Sequence, residues 1–356
     1  MTPATPYLAV DADRLQHNIE GMAAHARAHG FLLRPHAKTH KCLEIARRQL
    51  DAGAAGLTVA TIGEAEVFVE AGVDDVFIAY SHWFDEPRAR RLRDLADRCR
   101  LGLAIDSADG ARRLATALRD SGTPVDCVRV RIEIDSGHHR AGARPVDAGA
   151  VALAAVDRGL EVEGVFTFPG HGYAPGAGAK VARQEAAALA TAAQSLADVG
   201  LPARVRSGGS TPTARLAGDN VTELRPGVYV FGDAQQVALG VCGTSDVALW
   251  VEATVVSRPT KDRLVLDAGS KVLGMDRPAW VPGHGLLPEW PDCTVESLSE
   301  HHGVVTVAGD APVLGERVRV IPNHVCNAVN LVDELVVLRA GAPVDVWPVA
   351  ARGRNG

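Results

Sequence analysis

No stretch of the sequence approaches the ~20 consecutive apolar residues that a membrane-crossing helix requires, so no membrane role is expected. The opening residues, Met1-Thr-Pro-Ala-Thr-Pro-Tyr7, lack the charged-then-apolar layout of a secretion signal. Cysteine is sparse. Cys42, Cys99, Cys127, Cys242, Cys293 and Cys326 are scattered over 356 residues, which suits reduced thiols better than a disulfide framework. These absences together point to the cytoplasm. A basic stripe is also missing: 37 Lys and Arg stand against 43 Asp and Glu, a formal charge of −6. A polyanion binder needs clustered cations, so no nucleic-acid partner is expected. The arginines between Arg88 and Arg100 read instead as the solvated face of a helix. Internal repeats and low-complexity segments are absent as well.

What is present is a soluble, globular composition, 47% apolar and 22% charged, on a chain long enough for a barrel and a smaller domain. Short apolar runs recur at Leu32–Pro35, Gly56–Ala60, Asp75–Tyr80, Leu101–Ile105, Cys127–Ile134, Val162–Phe168, Ala203–Arg206 and Gly227–Phe231. Several are continuous rather than alternating, as parallel strands covered on both faces should be. Between them lie segments with helical spacing: Cys42–Ala52, Gly63–Ala71, Arg88–Arg98, Ala108–Asp120, Ala148–Arg158 and Lys180–Val199. Thr61 and Asp106-Ser107 read as helix starts. The count predicts an α/β protein with an N-terminal (β/α)8 TIM-like barrel.

After about Val237 the pattern changes to strands joined by Gly, Pro and Asp turns: Ala248–Ser257, Arg263–Asp267, Val304–Val307, Arg317–Val320 and Leu335–Arg339. This predicts a β-rich domain over 1–11 and 237–356, joined by the early strand Tyr7–Val10, beside a barrel over 12–236.

In such a barrel the reactive groups project from the C-terminal ends of the strands. Lys38 follows the first apolar run, Asp135 the fifth, His171 the sixth, Ser210 and Thr211 the seventh, and Asp233 the eighth, so all are expected on one face. Lys38 sits between His36 and His40 in a polar loop, where desolvation would favour the neutral, nucleophilic amine. Lys41, by contrast, reads as a surface lysine. Ser207-Gly-Gly-Ser-Thr211-Pro212 can converge backbone N–H groups and hydroxyls on a phosphate. In Pro322-Asn-His324-Val-Cys326-Asn327, read as a strand, His324 and Cys326 share a face and could hold one metal. A thiolate beside an imidazole favours Zn2+. A buried cysteine beside a hydrogen-bonded histidine is the plainer alternative. Glu300-His301-His302-Gly303 is close enough in sequence to reach the same cleft.

These stretches together resemble the fold-type III pyridoxal 5′-phosphate (PLP) family of D-serine dehydratase and D-threonine aldolase, over nearly the whole chain. The anchors are Arg34-Pro-His-Ala-Lys38-Thr-His-Lys41, Thr61-Ile-Gly-Glu-Ala-Glu66, Glu133-Ile-Asp-Ser-Gly137 through Arg140-Ala-Gly142, Gly170-His171-Gly-Tyr173, Gly208-Gly-Ser-Thr-Pro212, Leu224-Arg-Pro-Gly-Val-Tyr229, Asp267-Ala-Gly269, Glu300-His-His-Gly303 and His324-Val-Cys326. The resemblance implies an alanine racemase-like barrel with Lys38 carrying PLP as a Schiff base. It implies that Gly208, Gly209, Ser210, Thr211, Gly227 and Tyr229 hold the phosphate, with His36, Arg140 and Tyr173 also on the cofactor. His324 and Cys326 would hold a divalent metal, Zn2+ first and Mn2+ or Mg2+ after it. His171 and His302 join Lys38 as acid–base candidates.

The implied reaction is lyase chemistry on a D-β-hydroxy-α-amino acid. Dehydratase-type elimination to a keto acid and ammonia is the first expectation, because Cys326 stands where aldolase-type members carry an aspartate. Retro-aldol cleavage to glycine and an aldehyde is the second. An amino-acid racemase of this fold type and a non-enzymatic PLP carrier are further alternatives; the β domain with its His-x-Cys pair speaks against the carrier. Two departures, Glu-His-His-Gly for Glu-Glu-His-Gly and Phe168-Pro169 before Gly170, bear on the accepted side chain. The family also implies a homodimer.

Overall fold

The structure, a computed structural model, describes residues 3–356. The chain opens with a strand, β1 (Tyr7–Asp11), then runs through eight short strands: β2 (Leu32–Leu33), β3 (Leu57–Val59), β4 (Asp75–Ile78), β5 (Arg100–Ile105), β6 (Arg129–Glu133), β7 (Glu161–Phe166), β8 (Val205–Gly208) and β9 (Glu223–Leu224). These eight pair in the order β2-β9-β8-β7-β6-β5-β4-β3, and every pair is parallel. The ends of the row meet where His36 bridges Thr58 and the Thr58 N–H donates to Pro35 O at 2.8 Å. The sheet is thus curled into a TIM-like barrel, as the alternation of runs predicted.

Helices follow the strands, among them Ile62–Glu70, Ala108–Asp120, Ala148–Val156 and Gly178–Ala197. Thr61 and Ser107 cap two of them, each hydroxyl accepting the backbone N–H three residues on. A further helix, Ala12–Ala28, was not anticipated.

The eighth strand lies elsewhere than predicted. Gly227–Phe231 is no strand; Val228–Val230 forms a 3-10 turn, and the barrel closes on Glu223–Leu224. The physical reason is that the true strand places a carboxylate in the barrel interior. Glu223 accepts from Arg34 Nε on one oxygen at 2.8 Å, and from Arg131 Nη1 and Ser207 Oγ on the other at 2.5 and 2.7 Å. Arg131 lies on β6, which is not a neighbour of β9 in the sheet, so this pair crosses the interior. Glu163 completes the chain, 2.7 Å from Arg131 Nε, and Arg34 reaches Asp75 at 2.7 Å. Above these charges Phe77 and Phe166 meet edge to face at 5.0 Å.

By compactness the chain divides into two units. The barrel unit comprises Ala23–Lys38, Gln49–Gly227 and Arg354–Gly356; the other takes in the segments up to Met22, Thr39–Arg48 and Val228–Gly353. In this second unit the remaining strands are β10 (Leu249–Thr260), β11 (Arg263–Leu266), β12 (Cys293–Leu298), β13 (Gly303–Val307), β14 (Arg317–Val320), β15 (Glu334–Arg339) and β16 (Ala342–Pro348). They form one sheet in the order β12-β13-β11-β10-β1-β15-β16, with β14 also on β10. Strand β1 lies centrally, antiparallel to β10 and parallel to β15. Ala9, Val247, Trp250, Ile321, Val336 and Leu338 build its core. All six cysteines are free thiols, and no helix among the described residues is long and apolar enough to cross a membrane.

Candidate active site

In the barrel unit Lys38 occupies a 3-10 turn, Ala37–Thr39, directly after the β2 strand and its bridge at His36. Its Nζ lies 5.6 Å from the centroid of the Phe168 ring, within cation–π range. Phe168 follows β7 and gathers the polar residues of that rim. The Arg140 guanidinium lies 4.9 Å over it, the His138 ring meets it edge-on at 5.4 Å, and Tyr173 lies 6.4 Å away. His171 stacks on His138 at 6.5 Å, and its Nε2 is 3.1 Å from Gln184 Oε1. Three sequence-predicted residues, Lys38, Arg140 and Tyr173, are therefore collected around one aromatic ring, and His171 joins them through His138. Burial, then the Arg140 and His171 charges, hold the His138 imidazole below its usual pKa.

The neighbouring carboxylates have different tasks. Asp135 accepts from the backbone N–H groups of Gly137 and His139 at 2.9 and 3.0 Å, and from His139 Nδ1 at 2.7 Å. Burial opposes its ionisation, but these donors hold it below the usual carboxylate range. Its role is to shape the turn that presents His138 and Arg140. Glu133 accepts from Ser81 Oγ at 3.1 Å and lies 3.7 Å from Arg140; burial pushes its carboxyl up.

The Gly208–Thr211 turn ends β8. Gly209 takes φ +76°, a left-handed conformation that favours glycine, and Ser210 forms a capping box with Thr213. Ser210 and Thr211 are both buried. Arg225, after β9, donates to Ser207 Oγ at 2.8 Å and to Thr167 O at 2.5 Å. Burial pulls its guanidinium down to about 10. Behind the turn stands Glu185, whose Oε1 accepts the Gly209 N–H at 2.6 Å. Sequence reasoning missed it. The available signal was its register with the buried stripe Val181, Leu189, Ala192 and Leu196 on one helix face. Gly227 ends the main barrel segment.

In the second unit, Tyr229 is buried in the Val228–Val230 turn. His324 and Cys326 are not on a strand. His324 is the N-cap of the helix Val325–Asn330 and Cys326 lies in its first turn. Their side chains meet nonetheless, because the cap residue is extended while the next two enter the helix. Asp233 Oδ2 approaches His324 Nδ1 at 3.3 Å, though without regular hydrogen-bond geometry. Burial opposes the charged imidazole, but Cys326 and Asp233 raise its pKa well above the usual value. Cys326 Sγ also donates to Thr39 Oγ1 at 3.3 Å, and Thr39 follows Lys38 in the chain.

Asp233 was expected on the barrel face. It belongs instead to the second unit, where it caps Ala234–Ala238 through Gln236 N–H at 2.9 Å. Lys41 was expected at the surface; it is buried, its Nζ donating to Asn330 Oδ1 at 2.8 Å. His302 lies in the exposed turn between β12 and β13.

The donor sets fit the groups that the sequence implies. A half-buried amine on an aromatic face and a side-chain-free turn flanked by two buried hydroxyls suit an aldehyde-bearing phosphate ester. His324 and Cys326 could supply a nitrogen and a sulfur ligand, and the Asp233 carboxylate beside His324 Nδ1 would hold the imidazole in place. Among the described residues no third His, Cys, Asp or Glu joins them, so part of a metal's coordination would stay open.

Comparison with known proteins gives two family matches, "Alanine racemase, N-terminal domain" over residues 10–235 and "Putative serine dehydratase domain" over residues 248–338. D-threo-3-hydroxyaspartate dehydratase from Delftia sp. (strain HT23) is 36% identical, covering 98% of this chain and 97% of the relative. Its solved structure superposes with a TM-score of 0.89 over the same shares of both chains. A variant of that dehydratase solved in the metal-free form gives 0.88, at 34% identity over 98% and 97%. D-threonine aldolase from Arthrobacter sp. is 35% identical over 98% of this chain and 93% of its own.

Proposed function

The chain belongs to the fold-type III PLP enzymes of the D-serine dehydratase-like family, and from that membership we propose that it removes water from D-β-hydroxy-α-amino acids, giving a keto acid and ammonia. The enzyme is a PLP-dependent lyase. The observation that carries elimination over cleavage is the meeting of Cys326 with His324, whose Nδ1 faces Asp233.

Lys38 would carry the cofactor, and the Gly208–Thr211 turn would hold its phosphate. When bound, PLP supplies an electron sink that stabilises negative charge at the substrate Cα. His324 and Cys326 would hold the divalent metal, Zn2+ by the softness of the thiolate, which supplies a Lewis acid for a departing hydroxyl. The protein's own part is binding and proton handling. Lys38 Nζ would take the α-proton from the substrate. Phe168 sets an apolar ring beside that amine, and the Arg140 guanidinium brings a positive charge to the same ring. His171 Nε2, steadied by Gln184, is a second proton carrier on this rim. The reading also includes His36, Gly227 and Tyr229 as cofactor contacts, His302 as an acid–base group, a barrel domain over 12–236, a cytoplasmic location and a homodimer.

Retro-aldol cleavage is the second reading, supported by the 35% identity to a D-threonine aldolase. A panel of D-serine, D-threonine and D-threo-3-hydroxyaspartate, assayed for ammonia and for aldehyde, separates the two. We expect ammonia, its loss on chelation, and recovery with Zn2+. Aldehyde without ammonia would replace the first reading by the second. Unchanged turnover after chelation would remove the metal from either.

A further inference from the structure

Glu185 is fully buried in the helix Gly178–Ala197, and the proposed chemistry does not use it. Besides the 2.6 Å bond from Gly209 N–H, its Oε1 stands where a Cβ on residue 208 would come within 2.2 Å. A side chain at 208 would thus collide with the carboxyl, and glycine there lets the turn lie directly against it. The Thr213 hydroxyl interacts with the carboxyl, yet Oε2 has no partner of hydrogen-bond geometry. Of the groups facing Glu185, β8, its turn and the helix after it present Gly208, Gly209 and Thr213, none of which titrates. The segment after β9 presents Arg225, already engaged by Ser207 and Thr167.

We propose that Glu185 is a positioning residue for the cofactor's phosphate: it carries a proton whenever an anion occupies the Gly208–Thr211 turn, so phosphate binding takes up a proton at this side chain. The inference rests on the reading of that turn as the phosphate site. An ionised Glu185 would set a buried negative charge directly against the turn that would hold the phosphate, where solvent cannot screen it. Protonated at Oε2, with Oε1 still accepting the Gly209 N–H, it keeps the turn's shape and removes the repulsion. The proton comes from solvent. Burial already pushes the carboxyl up to about 7 before any anion arrives, against the Gly209, Thr213 and Arg225 interactions that lower it. Below that pH the turn is ready to bind; above it each binding event must first recruit a proton.

The test uses pyridoxine 5′-phosphate, which cannot condense with Lys38, titrated into apoprotein from about pH 6 to 9. Wild-type affinity should fall by about tenfold per unit above pH 7, relative to a Glu185→Gln variant whose neutral amide mimics the protonated acid. Calorimetry in two buffers of different ionisation heat should show net proton uptake by the wild type at about pH 8, and less by the variant. Parallel pH profiles for the two proteins overturn the proposal. If Glu185→Gln does not fold, absence of proton uptake by the wild type overturns it equally. Should unphosphorylated pyridoxine bind as tightly as its phosphate, the reading of the turn fails instead, and the two failures are told apart.

Discussion

Lys38→Ala should abolish the visible absorbance of lysine-bound PLP and lower turnover by on the order of a thousandfold or more, since one amine serves as both anchor and proton acceptor. Lys38 is half-buried, at the centre of the Ala37–Thr39 turn, with its amine over the Phe168 ring. Far-ultraviolet circular dichroism and the unfolding midpoint should therefore match the wild type. The measurement is the absorbance spectrum after reconstitution, with ammonia release from a D-β-hydroxy amino acid beside it. A variant that keeps both the absorbance and the turnover would remove Lys38 from the chemistry altogether.

The second large effect concerns stability. Glu223→Gln should cost roughly 3–5 kcal/mol of unfolding free energy, because it leaves Arg34 and Arg131 buried without their shared carboxylate. Burial works against ionisation of Glu223, but Arg131 and Arg34 hold it down at about 2. A folded-state pKa below the unfolded one stabilises the protein above the unfolded carboxylate range, and that stability is lost as pH falls from about 4.5 towards about 2. The wild type should lose stability through this acid window, and the variant less steeply. Urea titrations at neutral and acid pH check both. A loss under about 1 kcal/mol at neutral pH, or equal acid slopes, would show that the network does not stabilise the barrel.

The features that the sequence disguised share a physical cause. Seven of the eight barrel strands lie at or close to the apolar runs, because parallel strands covered on both faces must be apolar throughout. The eighth is two residues long and carries Glu223 inward, so it has no such run to show. Strands β12 and β16, also unanticipated, are the two ends of their sheet. Edge strands tolerate the polar residues of Cys293–Leu298 and the prolines of Ala342–Pro348, and so read as loops. Chemistry-bearing residues were legible where a short motif holds them together, as around Lys38 and in Gly208–Thr211. His324 and Cys326 were found for an inexact reason. Their side chains converge through an N-cap, not through strand alternation. Asp233 accepts from Val325 N–H and Glu185 from Gly209 N–H, 92 and 24 residues distant in sequence; a helix stripe can mark Glu185 as buried, but no local pattern names either partner.

The central place of β1 constrains the order of folding. Its partners are Leu249–Glu252 on one side and Val336–Leu338 on the other. All eight barrel strands have been made once Leu224 is synthesised, whereas β1 must wait for Leu338. At roughly 5–20 residues per second that delay lasts on the order of ten seconds. Until Leu249–Glu252 is made the strand, buried in the finished protein at Leu8, Ala9 and Val10, has neither neighbour, and from then until Leu338 it has one open edge. A slow, chaperone-sensitive last step is the expected signature, with barrel structure acquired before Tyr7–Asp11 gains protection from hydrogen exchange.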